Sequence, residues 1–163
     1  MLKIIKILLV LSVAAFGLIG AIWNVIDWPG TVGAVTATTT MTTWEGGGGA
    51  WQATDNAAVV YLGAVGIPLL KVLFGLLCLA GAIRMAAARG NDASFERAKE
   101  LALAGCGLAI LLLFGGWIVI AESWFELWRS DAMRSAGLES AFRYAGCIGL
   151  IALFVAMRET PRD

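Results

Sequence analysis

Lys71 stands three residues after Pro68 inside Tyr61–Arg84, a run apolar for roughly the 20 residues that carry a helix across a bilayer. At the helical rise, Lys71 falls about 15 Å from Tyr61 and about 20 Å from Arg84, close to mid-depth. Insertion scales charge an ammonium there roughly 2.5–3.5 kcal/mol. No carboxylate lies at matching depth in another apolar run, because Glu100, Glu122 and Glu139 all fall near helix ends. Three readings stay open. The ammonium meets an acid on another subunit or a water-filled cavity; it snorkels toward the N-terminal end of its helix, or onto the carbonyl of Ala64 freed by Pro68; or it serves transport of an ion or proton.

Other chemistry is sparse. The chain has no histidine, so histidine-ligated metal or haem sites and a histidine base are excluded within it. Cys78, Cys106 and Cys147 each lie inside an apolar run and are expected as free thiols that pack like small apolar side chains. No metal, cofactor or catalytic constellation is expected, and the function expected is not an enzyme's. Arg143 is expected to pair with Glu139 or Glu122 in a structural role. Trp44, Trp51, Trp124 and Trp128 fall outside the apolar runs. They form either an ordinary interfacial girdle or a surface that docks a partner, a quinone or a lipid headgroup.

The elements that must position these residues are read from hydropathy. Hydrophobic residues make up 60% of the 163 residues and charged ones 15%, against about 25% in a soluble domain. The mean hydropathy is +0.82, and the surplus gathers in four runs, about 3–23, 58–84, 100–121 and 140–157. The fold expected is one all-α integral membrane domain of four transmembrane helices. The first run has the basic start of a secretory signal but is longer than a signal core, so it is read as an uncleaved span. A net charge of zero and the absence of a large basic patch give nucleic acid nothing to bind.

Residues 24–57 read as the one long non-helical connection, with Asp27 in a turn composition followed by Pro29 and Gly30. Gly46–Gly49 within it is a hinge or a mobile tip. A kink is expected at Pro68. The stretch after the third run places Trp124, Leu127 and Trp128 on one helical face, as an interfacial helix or an extension of the span. Small residues four apart, Gly17 and Ala21, Gly105 and Ala109, and Ala145 and Gly149, suit close helix approach in lipid.

Lys3, Lys6, Arg84, Arg89, Arg97, Lys99, Arg158 and Arg162 fall on one side of this topology; Arg129, Arg134 and Arg143 fall on the other. The positive-inside rule then puts both termini in the cytoplasm.

The run SFERAKELALAGCGLAILLLFGGWIVIAESWFELW from Ser94, then SAFRYAGCIGLIALF, resembles a bacterial family of predicted small integral membrane proteins of unknown function. KILLVLSVAAFGLIGAIWNVIDW at the start and MTTW in the loop are similar to it as well. The resemblance implies a four-helix protein of the bacterial inner membrane with no assigned activity. It also implies a histidine and an aspartate where this chain has Ala37 and Thr42, and an acid near Lys71, so any metal or proton role of those residues does not transfer. The function expected is a non-catalytic accessory subunit packed among lipids against a larger complex, for example a respiratory or other oxidoreductase assembly. The alternative is a small transporter or a lipid- or quinone-binding protein that uses Lys71.

Overall fold

The computed structural model describes residues 1–158. Among them there is helix and turn and no strand. In lipid every backbone polar group must be bonded within its own segment, and continuous helices do that. Four stretches are long and apolar enough to cross: Leu2–Ile26, Ala57–Ala87, Asp92–Trp124 and Arg134–Ala156. Their outward faces keep large apolar side chains exposed, Leu62, Leu69, Phe142, Leu150 and Leu153 among them. Such a surface suits acyl chains.

α1 (Leu2–Ile26) ends at Asp27, whose carboxylate accepts from the Gly30 amide at 3.1 Å and so starts α2 (Trp28–Thr39). Pro29 sits in the first turn, where no intrahelical donor is lost. The connection expected to be non-helical therefore holds a helix of 12 residues. A run of β-branched threonines is a poor helix in water. Here Thr36, Thr38 and Thr40 each donate their hydroxyl to a carbonyl four residues back, at 2.8–2.9 Å, which satisfies them on the helix itself. The glycine tract is also shaped: Gly46 takes φ +84°, a turn of 3₁₀ helix follows over Gly47–Gly49, and Gly47 is buried against Trp44. The Thr54 amide closes this loop on the Thr39 carbonyl at 2.8 Å.

α3 (Ala57–Ala87) starts at Asn56, which caps Ala58, and runs unbroken through a buried Pro68. α4 (Asp92–Ile110) starts at Asn91, which caps Ser94 at 2.9 Å, so the third span begins earlier than hydropathy alone places it. From Leu111 to Trp124 the same span widens to π-helical bonding, and at its end the Phe125 amide donates to the Ile120 carbonyl five residues back at 3.1 Å. Trp124 thus belongs to the span, while Leu127–Arg129 forms a separate 3₁₀ turn. α5 (Ser140–Ala156) follows a wide turn over Arg134–Glu139.

The core runs along the centre of the four spans through Val10, Ala14, Phe74, Cys78, Ala102 and Cys106. Small residues set the spacing. A Cβ added at Gly81 would fall on the backbone of Ala102, and one at Gly105 on the Cys78 sulfur. Gly146, by contrast, faces open space. Cys78 and Cys106 are buried free thiols and Cys147 is an exposed one.

One end of the bundle is knotted by lysines. Lys3 Nζ donates to the Arg89 carbonyl at 2.9 Å and pairs with Asp92. Lys6 and Lys99, each only 2% exposed, both donate to the Met157 carbonyl, at 2.5 and 2.9 Å. Cations thus hold an orphan carbonyl at the C-terminal end of α5, where the helix dipole favours them. Met1 and Met157 therefore share this basic end. Arg162 and the rest of the short tail, 159–163, lie outside the described residues.

Candidate ligand-binding site

Lys71 projects from α3 against the C-terminal half of α1. A Cβ at Gly17 would meet the Lys71 carbonyl, and one at Gly20 would lie 3.5 Å from both Cδ and Nζ of Lys71. The side chain therefore climbs α1 from the level of Gly17 past Gly20. It ends with Nζ donating to Asn24 Oδ1 at 2.6 Å. This is the snorkelling direction, toward the N-terminal end of its own helix. Asn24 lies about 27 Å along α1 from Lys6, close to the full thickness of a hydrocarbon core. The ammonium thus lies level with the C-terminal end of α1, away from the middle of that span.

Lys71 has no carboxylate beside it among the described residues, yet it does have a partner on its own chain. The partner is a neutral amide at the end of α1, where a polar residue reads as part of a turn. Thr31 fixes that amide. Its hydroxyl donates to the Asn24 carbonyl at 3.0 Å, so it can only accept from Asn24 Nδ2, at 2.9 Å. Oδ1 is left facing the ammonium. Two of the three Lys71 N–H groups have no acceptor among the described residues.

Lys71 and Asn24 both line a cleft of about 420 Å³, a volume in the range of small-molecule sites. One wall is α2 with Val35 and Thr38, and the second is α3 from Val59 to Lys71. The third is the π-helical segment with Leu112, Gly116, Trp117 and Ile120, continued by Phe125. Thr38 and Thr39 spend their hydroxyls on their own helix. The free polarity of the cleft is therefore a cation beside an amide, with apolar side chains over the rest. A π-helical segment bordering a cavity agrees with the frequent placement of such widened turns at functional sites.

The other residues singled out lie elsewhere. Trp51 and Trp124 meet edge to face at 5.3 Å between ring centres. The Arg129 guanidinium lies 4.0 Å over the Trp44 ring and 5.7 Å from that of Trp128, and pairs with Glu126 at 2.9 Å. The four tryptophans gather at the end opposite the lysines, outside the cleft. Arg143 does not pair with Glu139 or Glu122. Its guanidinium reaches the Ser140 hydroxyl at 3.4 Å and the Tyr144 hydroxyl at 3.5 Å, both on its own helix. Glu122 is half-buried on the π-helical segment, and Asp27 is the cap of α2. Among the described residues no three His, Cys, Asp or Glu side chains converge as a metal site would require.

Four apolar spans around a core of small residues define a multi-span helical membrane protein. The chain belongs to the family of predicted small integral membrane proteins designated DUF2165, with a match across residues 2–158. No curated protein and no solved structure matches it.

Proposed function

We propose that this protein is a non-catalytic member of the bacterial inner membrane that holds an apolar molecule with an anionic head, such as a long-chain carboxylate, in the cleft at Lys71. The observation that carries the reading is that Lys71, with two N–H groups lacking an acceptor among the described residues, lines an otherwise apolar cleft. A cation balanced only by an amide gains most from an acceptor that brings a negative charge. A quinone carbonyl offers an acceptor without the charge, which makes it the weaker occupant. The test is equilibrium binding of oleate to purified protein in neutral detergent. Oleate should bind with one site per chain, and Lys71→Met should weaken it at least about tenfold, with Lys71→Arg intermediate. Equal binding by Lys71→Met, or preference for a neutral quinone over oleate, would remove the anionic-head reading.

A second reading, packing against a larger membrane complex, rests on the tryptophan end. Trp51 is 83% exposed there and Trp128 52%. Exposed tryptophans are favoured anchors where one chain packs on another. Extraction in mild detergent should then yield a stoichiometric larger assembly that Trp51→Ser disrupts.

A further inference from the structure

A second cleft, of about 440 Å³, lies at the opposite, basic end, between the last turn of α3 and the first turns of α4. Arg84 lines it from α3, and Ser94 and Arg97 line it from α4. Its remaining walls are Ala87, Ala88 and Ala98, side chains too small to fill it. Every lysine at this end is engaged: Lys3 with Asp92 and the Arg89 carbonyl, Lys6 and Lys99 with the Met157 carbonyl. Arg84 and Arg97 are exposed and have no hydrogen bond or ion pair among the described residues. The nearby acids are largely committed. Asp92 is held by Lys3 and Glu96 by Lys99, at 2.7 Å, and Glu100, one turn beyond Arg97, reaches neither arginine.

We propose that this cleft binds the phosphate of an anionic lipid headgroup. Two guanidinium forks from different helices offer paired donors that match phosphate oxygens, and the Ser94 hydroxyl adds a third donor. Basic pockets between helix ends at the membrane surface take such headgroups. The position selects lipid over free phosphate. Arg84 closes an apolar run, and Ile83, Leu76 and Leu73 on the same helix are exposed toward the bilayer, giving acyl chains a track that leads to the arginines.

The experiment is native mass spectrometry of the protein released from nanodiscs containing equal phosphatidylglycerol and phosphatidylcholine. The wild-type chain should retain phosphatidylglycerol preferentially. Arg84→Gln/Arg97→Gln should weaken that retention about thirtyfold, while Arg134→Gln at the other end should leave it unchanged. Thermal unfolding of each variant checks that the bundle is intact, and if the double variant does not fold, Arg97→Gln alone should weaken retention about fivefold. Retention unaltered by these substitutions would overturn the proposal. So would equal retention of phosphatidylcholine, or inorganic phosphate at millimolar concentration displacing the lipid completely.

Discussion

Replacing Asn24 by alanine tests the account of Lys71 directly. The substitution deletes the 2.6 Å acceptor of the ammonium and the 2.9 Å bond to Thr31. A hydrogen bond to a charged group contributes about 1.5–3 kcal/mol and a neutral one about 0.5–1.5 kcal/mol. Measured bonds within membrane proteins are weaker, about 0.6 kcal/mol on average and about 1.7 kcal/mol at most. The pair is half-buried beside an open cleft, where solvent replaces part of what is lost, so the loss expected for Asn24→Ala is about 1–2 kcal/mol. Lys71→Met removes the charge along with its desolvation cost and should stay within about 0.5 kcal/mol of wild type. Reversible unfolding in mixed micelles of a mild detergent and dodecyl sulfate measures both, and the double variant closes the cycle. A coupling near 1 kcal/mol is expected. If Asn24→Ala costs as much in the Lys71→Met background as in the wild type, the two side chains do not interact and the reasoning fails.

Three other outcomes follow from the packing. Asp27→Ala removes the cap of α2 and should cost about 1 kcal/mol, seen as faster amide hydrogen exchange confined to residues 28–39. Gly17→Val drives a branched side chain into the Phe74 ring and the Lys71 carbonyl and should lower stability by at least about 1–3 kcal/mol; Gly149→Ala, where nothing lies within reach, should not, and thermal unfolding distinguishes them. Arg129→Gln removes the cation from the Trp44 ring and should shift the tryptophan fluorescence while leaving oleate binding unchanged, because Trp44 lies outside the cleft.

The spans were legible because their signal is a length of uninterrupted apolar sequence, which the bilayer fixes independently of tertiary contacts. The ends were less so. α2 was hidden because a threonine-rich stretch after Pro29 and Gly30 reads as a connection, whereas in the fold its hydroxyls are satisfied on carbonyls of the same helix. Asn24 was hidden for a related reason. A polar residue just before Asp27 looks like the start of a loop, and its pairing with Lys71 depends on α1 and α3 lying antiparallel with Gly17 and Gly20 at the contact. Lys6 and Lys99 read as surface charges that set orientation, whereas their ammoniums are buried on a helix-end carbonyl. Sequence marks that Lys71 is costly; its amide partner Asn24 becomes visible only with the register of α1 against α3.

The same register explains why a cleft exists, and gives a variant that separates folding from binding. α1 stops at Asp27 while α3, about 46 Å long by helical rise, continues past it. α2 resumes along α3 with a new start at Asp27, and Val35 approaches Gly63 closely enough that a Cβ there would crowd it. Gly66 lines the cleft one helical turn further along, and a Cβ at that position would meet nothing within 4 Å. A leucine at Gly66 should therefore point into vacant volume without displacing a neighbour. It also removes a glycine from a helix interior, worth about 0.8–1 kcal/mol of propensity. Gly66→Leu is expected to unfold at equal or higher denaturant than wild type and to bind oleate at least about tenfold more weakly. A drop in stability of more than about 1 kcal/mol would mean that Gly66 packs against α2 rather than lining a cleft. Full stability with undiminished oleate binding would place the ligand elsewhere on the protein.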